Sequence, residues 1–345
     1  MSAFNVALIG YGYAGKTFHA PLINAADGLH LATVVSSSPA KVHADLPTVG
    51  VAASPADVFA DPSIDLVVIA TPNDLHASLA IAAMEAGKAV VIDKPFAVTV
   101  VEARAVMDVA ARTGRLASVF HNRRWDSEFL TLGPVLASGA LGDIVSFESH
   151  FDRFRPVVRD RWREREGPGA GIWYDLGPHL IDQVLVLFGP PLGVQADIAI
   201  LRKGGGAADD FHAVLRYADK RVVLAASMLR ADSRLRLAVH GAQGSFVCEG
   251  LDTQEDALKA GASPLDAGFG ASAAPARLTV GDGAVEMVPP LAGRYLDYYE
   301  HIATALAGRA PNPVPLDQAL DVMRVIDLGI RSSVERREIG WGELG

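Results

Sequence analysis

The chain has a single cysteine, Cys248, in 345 residues, and its 40 acidic side chains outnumber its 31 basic ones. One cysteine excludes an intrachain disulfide and a cysteine-based metal cluster. The net charge of -9 argues against a nucleic-acid partner, whose phosphates attract basic proteins. No apolar run approaches the ~20 residues that span a bilayer, and no basic segment followed by a long apolar one opens the chain. We therefore expect a cytoplasmic protein with no nucleic-acid or membrane partner.

The first third of the chain alternates apolar runs with helix-like segments. Short, uniformly apolar runs are typical of strands buried on both faces of a parallel sheet. They occur at 4–9, 31–35, 65–70, 89–92 and 116–120. Helices are predicted between them, over 17–26, 75–86 and 101–112. This pattern predicts a doubly wound α/β domain.

Beyond residue 125 the pattern changes, because strand-like runs now follow one another with turns between them. These runs cover 144–151, 194–201, 212–217, 221–229, 234–240, 245–249, 277–280 and 284–288. Many alternate apolar and polar residues, which indicates an antiparallel sheet with one wetter face. Helices are predicted only at 177–188, 295–306 and 316–331. We expect one domain over 1–122 and an α+β domain with a large, mostly antiparallel open sheet over 123–345, whose last helix can pack back on the first domain.

A glycine-rich turn follows the first predicted strand and precedes the first predicted helix. Gly10, Gly12 and Gly15 have the G-x-G-x-x-G spacing, with Tyr13 and Ala14 between the last two. In this context the first glycine permits a tight turn, the second admits a pyrophosphate and the third lets helix and strand pack closely. The sequence therefore predicts dinucleotide binding, with a purely structural turn as the alternative.

The end of the second predicted strand bears on cofactor choice. An acidic residue about twenty positions after the glycines usually binds the ribose hydroxyls of NAD. Here Ser36, Ser37 and Ser38 occupy that place, and Lys41 follows. Hydroxyls and a lysine suit the 2′-phosphate of NADP better, although a plain polar turn explains the serines too. We predict NADP, with NAD as the alternative.

Lys94 stands in the tripeptide Asp93-Lys94-Pro95, at the end of the predicted strand 89–92. Open α/β folds bind their ligands at this edge of the sheet. A lysine there can hydrogen-bond a reacting oxygen and stabilise its negative charge as an alcohol becomes an alkoxide. Pro95 is a candidate for a cis peptide that aims the lysine. The alternative is a surface lysine without a chemical role.

Asp175 and His179 are four residues apart, near the start of a predicted helix, so both side chains are expected on one helix face. His179 titrates near neutral pH and is a natural general base for an alcohol proton. Pro178 is tolerated in a first helical turn. Asp175 has an alternative interpretation as a helix N-cap, and His179 as a buried structural histidine.

Together the glycine turn, the Asp93-Lys94-Pro95 tripeptide and the Asp175/His179 pair resemble the glucose–fructose oxidoreductase, inositol dehydrogenase and MocA family, over nearly the whole chain. Finer similarity at 16–22, 121–126 and 174–183 points to the NADP-dependent scyllo-inositol dehydrogenases. Asp93 stands where the family usually has Glu, and an arginine common near Ser38 is missing. The resemblance implies a Rossmann domain, a C-terminal domain whose sheet makes homodimer or homotetramer contacts, and three roles. In these, His179 is the acid/base, Lys94 assists it and Asp175 orients or binds substrate.

Further candidates lie at predicted strand ends. The resemblance implies that residues after the strand 65–70 border the nicotinamide ribose, with a structural turn as the alternative: Thr71, Pro72, Asn73 and His76, joined by Asp93. Polar and aromatic residues after the strand 116–120, and others further on, are candidates for holding a polyol: Asn122, Arg123, Arg124, Trp125, Arg155, Trp162 and Tyr174. The arginine-rich segment 153–165 has an alternative interpretation as a solvated or interface segment. The histidines show no metal-ligand spacing, so no metal is expected.

The resulting hypothesis is an NADP-dependent dehydrogenase acting on a CH–OH group of a cyclic polyol, similar to scyllo-inositol, or of a sugar. An aldose 1-dehydrogenase or another sugar oxidoreductase on the same fold is an alternative. A cofactor-sensing regulator without catalysis is a third hypothesis, and an intact Lys94, Asp175 and His179 argue against it, because a pure binder has no need of them.

Overall fold

The computed structural model describes residues 3–232, 234–272 and 274–343. The chain divides into two compact units. The first contains the residues up to Asn122, with Gln254–Phe269 and Arg294–Leu320. The second contains Arg123–Thr253, Gly270–Gly293 and the residues from Asp321 onward.

The first unit is built on a parallel sheet. Its strands are β1 (Phe4–Ile9), β2 (Leu29–Val35), β3 (Gly50–Ala52), β4 (Leu66–Ile69), β5 (Ala89–Ile92) and β6 (Ala117–Val119). Neighbouring strands follow the order β3-β2-β1-β4-β5-β6, and all pairs are parallel. Every residue of β4 and β5 is buried, which explains their uniformly apolar sequence. The predicted doubly wound sheet is confirmed.

The second unit is built on a mixed sheet. Its strands are β7 (Ile144–His150), β8 (Gly193–Ala199), β9 (Asp210–Arg216), β10 (Arg221–Ser227), β11 (Leu235–Gly241), β12 (Gly244–Glu249), β13 (Ala276–Val280), β14 (Val285–Val288) and β15 (Ile339–Gly340). Their order is β14-β13-β12-β11-β7-β10-β9-β8-β15. Only the β7–β10 pair among these strands is parallel. The predicted large, mostly antiparallel sheet is therefore confirmed.

The α-helices have identifiable starts and stops. They are α1 (Ala20–Ala25), α2 (Pro39–Asp45), α3 (Pro55–Ala60), α4 (His76–Glu85), α5 (Val100–Thr113), α6 (Ser127–Ala137), α7 (Ile172–Phe188), α8 (Gln254–Lys259), α9 (Leu296–Leu306) and α10 (Leu316–Glu335). In α5, Thr99 and Glu102 form a capping box, and Gly114 ends the helix with a φ of 63°. No helix in the described ranges is both long and apolar enough to cross a membrane.

The position of α7 corrects the sequence prediction. This helix begins at Ile172, after Gly171, whose φ of 85° suits glycine. Pro178 therefore lies inside the helix rather than in its first turn, and Asp175 lies within the first turn rather than at the N-cap. The prediction that confined helices beyond residue 125 to three segments is also wrong, because α6 and α8 are present. Pro134 lies within α6.

Candidate functional site

The glycine turn has the geometry that a dinucleotide requires. Gly10 has a φ of 100°, and a Cβ there would lie 2.5 Å from the carbonyl oxygen of Ala70. A Cβ on Gly15 would overlap the carbonyl oxygen of Gly10, so both positions need glycine for folding. A Cβ on Gly12, in contrast, would meet no heavy atom within 4 Å. Gly12 therefore leaves open space above the turn, as close approach of a pyrophosphate demands.

The residues after Gly12 begin a continuous helical run with a π-helical turn over Gly15–His19, and α1 follows it. Tyr13 is 50% exposed, and its hydroxyl donates a hydrogen bond of 2.6 Å to Glu255 Oε1 of α8. Burial and the contact with Glu255 raise the pKa of Tyr13 to about 12. No local feature of the sequence indicates that α8, more than two hundred residues later, contacts the Tyr13 hydroxyl.

The predicted 2′-phosphate residues lie where β2 leads into α2. Ser38 is the N-cap of α2, and its backbone N–H donates to Ser36 Oγ at 3.1 Å. Ser37 lies between them and is exposed. On the exposed side of α2, the Lys41 ammonium donates to the carbonyl oxygen of Tyr11 at 3.2 Å. The positive charge of Lys41 therefore lies beside the backbone of Tyr11, within the glycine turn.

An ion pair accompanies Lys41 that the sequence prediction missed. Lys16 Nζ lies 2.7 Å from Asp45 Oδ2, and the bond to Lys16 together with nearby Lys41 lowers the pKa of Asp45. Burial and Asp45 raise the pKa of Tyr11 to about 12. One carboxylate, that of Asp45, thus pairs with Lys16 and has the second ammonium group, Lys41, nearby, so the local charge is positive. The spacing of four residues from Lys41 to Asp45 on α2 was the available signal.

Lys94 lies at the same sheet edge as the glycine turn. Ile9, Ile69 and Ile92 are in register on the parallel strands β1, β4 and β5. The segments that follow these residues, which contain Gly10, Thr71 and Lys94, therefore share the carboxyl edge of the sheet. The Lys94-Pro95 peptide is cis, as the sequence suggested.

Hydrogen bonds tie these segments to one another. His76 is fully buried, with Nδ1 2.8 Å from the carbonyl oxygen of Pro95 and Nε2 3.1 Å from that of Thr71. The backbone N–H of Lys94 donates to Asp93 Oδ1 at 2.8 Å. Asn73 is buried next to this edge, and Pro72 is exposed. The structure thus brings the predicted nicotinamide-side residues together within the first unit.

Asp175 and His179 lie one turn apart on α7, in the second unit. The Asp175 carboxylate is 3.8 Å from Arg163 Nε, and its side chain is 23% exposed. Asp175 and Arg163 line a cavity of about 280 Å³ together with Arg161, Glu164, Arg202 and Met228. His179 is buried.

Two predicted substrate residues lie in the arginine-rich segment near this cavity. The carbonyl oxygen of Arg155 accepts a hydrogen bond of 3.1 Å from Arg202 Nη1. Trp162 is 37% exposed, and the guanidinium of Arg163 stacks 4.7 Å from the centroid of its ring. Tyr174, next to Asp175, is half-buried. The cavity therefore carries both signs of charge, and Arg163 and Asp175 are its half-buried ion pair.

Arg123 and Arg124, of the 3-10 turn Asn122–Trp125, contact α7 within the second unit. Arg124 Nε and Nη2 donate to the two oxygens of Asp182 at 2.9 and 2.6 Å. Paired, planar contacts of this kind fix orientation. The amide of Gln183 donates to the carbonyl oxygen of Arg123 at 2.7 Å.

Arg123 is also engaged, because its guanidinium lies 3.3 Å from Asp126 and 4.7 Å from the centroid of the Phe151 ring. These contacts give the two arginines a structural role that sequence reasoning missed. Their predicted contact with substrate stays a prediction. No group of three or more potential metal-ligating side chains occurs within the described part of the chain.

Comparison with known proteins defines the class. The NAD-binding Rossmann-fold model of the GFO/IDH/MocA oxidoreductase family matches residues 4–121, and the model of its C-terminal alpha/beta domain matches residues 135–341. The chain belongs to this oxidoreductase family and is an enzyme with a nicotinamide-nucleotide-binding domain.

Individual relatives match this chain over nearly its whole length. An uncharacterised oxidoreductase of Escherichia coli, YdgJ, is 53% identical over 96% of both chains. The scyllo-inositol 2-dehydrogenase (NADP(+)) IolW of Bacillus subtilis is 37% identical over 98% of this chain and 96% of its own length. A crystal structure of a Klebsiella pneumoniae protein superposes with a TM-score of 0.94 at 45% identity, and covers 100% of this chain and 96% of its own.

Proposed function

We propose that this enzyme is an NADP-dependent dehydrogenase or reductase that acts on a secondary alcohol or ketone of a cyclic polyol or sugar. The observation that carries the proposal is the placement of Lys94 on the same sheet edge as the glycine turn, with Ile9, Ile69 and Ile92 in register beneath it. The relative IolW is named for scyllo-inositol and NADP, and a Rhizobium meliloti relative, 28% identical over 350 residues, is an inositol 2-dehydrogenase.

In the proposed mechanism each catalytic residue has one task. The Lys94 ammonium donates a hydrogen bond to the reacting oxygen and stabilises the negative charge that develops there. His179 takes the hydroxyl proton during oxidation and returns it to the oxygen during reduction. Asp175 orients the substrate by accepting a hydrogen bond from it. The nicotinamide, when bound, supplies the hydride acceptor or donor.

The preference for NADP rests on charge. The end of β2 carries Ser36–Ser38 and no carboxylate, so nothing there repels a 2′-phosphate. Lys41 follows Ser38 by three residues on α2, and the carboxylate of Asp45 near it is already paired with Lys16, so the positive charge of Lys41 is not neutralised by a partner of its own among the described residues there. Both features favour a dianionic phosphate over the hydroxyl of NAD.

Self-association through the open face of the second unit's sheet is the other part of the proposal. Val214, Val223 and Glu148 are direct neighbours across β9, β10 and β7, and Ala238 and Val247 continue the row across β11 and β12. The core residues point to the opposite face, as Leu224 and Phe147 show. A mostly apolar row on a half-buried face supports a homodimer or homotetramer.

The test is a panel of inositols, aldoses and sugar acids, each incubated with the enzyme and NADP or NAD while reduced cofactor is followed by absorbance. We expect turnover of at least one cyclic polyol, faster with NADP. Turnover of aldoses alone would establish an aldose dehydrogenase instead. Tight NADPH binding with no turnover of any member of the panel, in either direction, would favour the cofactor-sensing regulator and contradict the proposal.

A further inference from the structure

His19 is a fully buried histidine that no part of the proposed reaction uses. It lies in the helical run after the glycine turn, with its ring centroid 4.4 Å from that of Phe120. Its Nδ1 is 2.6 Å from the hydroxyl oxygen of Tyr299 on α9. Its Nε2 is 3.8 Å from Asp93 Oδ1, an electrostatic contact that is longer than a hydrogen bond. All of these residues belong to the first unit. A buried imidazole between a phenol and a carboxylate is costly unless both sides are satisfied.

Asp93 connects this buried group to Lys94. The Asp93 side chain is buried, and the same oxygen that faces His19 accepts the hydrogen bond from the Lys94 backbone N–H. Burial alone would raise the pKa of Asp93, but His19, Lys94 and His76 lower it to about 2. Asp93 is therefore an anion at neutral pH, and its charge depends on the groups behind it.

The environment of Tyr299 favours the protonated form of its hydroxyl. Burial, with the nearby Tyr298 and Asp93, raises the pKa of the Tyr299 hydroxyl well above its ordinary value. A phenol that retains its proton at 2.6 Å from an imidazole nitrogen can donate to that nitrogen. When Nδ1 accepts this hydrogen bond, the imidazole proton lies on Nε2, on the side of the ring that faces Asp93.

We propose that Tyr299 and His19 are positioning residues for Lys94. The Tyr299 hydroxyl fixes the Nε2–H tautomer of His19, and the positive end of this N–H faces the Asp93 carboxylate and stabilises its charge electrostatically. That carboxylate accepts the hydrogen bond from the Lys94 backbone N–H at the sheet edge. The expected loss of kcat rests on the proposed function. The contacts among Tyr299, His19, Asp93 and Lys94 do not depend on it.

His76 is the second histidine near Asp93, and its contacts differ from those of His19. Both of its ring nitrogens face carbonyl oxygens, those of Pro95 and Thr71. It ties the segments after β4 and β5 together, whereas His19 acts on the carboxylate between β5 and Lys94. The charged or titratable groups that face Asp93 are thus His19, Lys94, His76 and, more remotely, Tyr299.

The test compares Tyr299→Phe with Tyr298→Phe. Tyr298 is the adjacent residue of α9, equally buried, and its hydroxyl donates to Ser118 Oγ at 3.0 Å. Each variant loses one buried phenol hydroxyl, so a merely structural effect should be similar in both. Nitrogen chemical shifts of isotope-labelled histidine report the tautomer of His19, assigned by the signal lost in His19→Gln. The backbone amide signal of Lys94, assigned with Lys94→Arg, reports its hydrogen bond to Asp93.

We expect Tyr299→Phe to change the His19 tautomer signal and to move the Lys94 amide, and Tyr298→Phe to do neither. Misplacing a catalytic group by a fraction of an ångström is expected to lower kcat by about tenfold to a hundredfold in Tyr299→Phe, with the KM for NADPH nearly unchanged. An unmoved Lys94 amide in Tyr299→Phe, or equal losses of kcat in both variants, would overturn the inference. If the wild-type enzyme turns nothing over, the proposed function fails while the two spectroscopic signals still decide the network.

Discussion

Gly12→Ala separates the folding role of the glycine turn from its binding role. Gly12 lies outside the left-handed region of φ, and a Cβ there meets no heavy atom within 4 Å. The methyl group therefore fits the folded protein and restricts the unfolded chain, so the free energy of unfolding should stay the same or rise by about 0.4–1 kcal/mol. The same methyl group occupies the space through which the pyrophosphate reaches the backbone. Losing one charged hydrogen bond to phosphate costs about 1.5–3 kcal/mol, which raises the Kd for NADPH roughly tenfold to a hundredfold.

The assay is a fluorescence titration with NADPH beside a urea unfolding curve for each variant. Gly15→Ala is the opposite case, because its Cβ would overlap the backbone of Gly10 and should lower the free energy of unfolding. Gly342→Ala is the neutral control, since a Cβ there also meets nothing within 4 Å and the residue lies in the second unit. If Gly12→Ala binds NADPH as tightly as the wild-type enzyme, the glycine turn is not the phosphate site. If it is as unstable as Gly15→Ala, the described geometry of the turn is wrong.

Two further predictions concern cofactor choice and assembly. Lys41→Met should weaken NADPH binding by about 1.5–3 kcal/mol, the value of a charged hydrogen bond, and leave NADH binding nearly unchanged; equal weakening of both would refute the assignment of Lys41 to the 2′-phosphate. Light scattering should give a molar mass of two or four times the 36.3 kDa of one wild-type chain. Val223→Glu, which sets a second carboxylate beside Glu148 on the open sheet face, should give the monomer, and an unchanged mass would place the interface elsewhere.

Apolar runs and apolar/polar alternation were enough to predict both sheets, because buried strands carry a sequence pattern that exposed edge strands lack. β4, β5 and the three-residue β6 were evident from their buried apolar runs, whereas the partly exposed edge strand β3 and the two-residue edge strand β15 show no pattern. The start of α7 was misplaced because Gly177 and Pro178 look like helix-breaking residues. The helix continues through them, since its backbone is set by Gly171 at one end and by burial of Leu180 and Ile181 against the sheet. Tertiary packing here outweighs local propensity.

The candidate site was predictable where one short motif carries the chemistry. The glycine turn and the cis peptide at Lys94 each depend on neighbours in sequence, and strand order then brings them to one edge. The contact of His19 with Tyr299 joins residues 280 positions apart, and that of Arg124 with Asp182 joins residues 58 apart. Such pairs leave no periodic or local signal, so only the folded chain reveals them.

The central proposal is that Lys94 and His179 are both catalytic residues of the hydride-transfer reaction. The measurement that tests it is the initial rate of NADPH formation with the best substrate of the panel, for the wild-type enzyme, Lys94→Ala and His179→Ala. Lys203→Ala and His30→Ala, at exposed positions, are the matched controls. We predict that kcat falls by about a hundredfold or more in both catalytic variants, the usual effect of losing a charge-stabilising donor or a general base, while NADPH still binds and the controls stay active. A near-wild-type kcat in either catalytic variant would contradict the account.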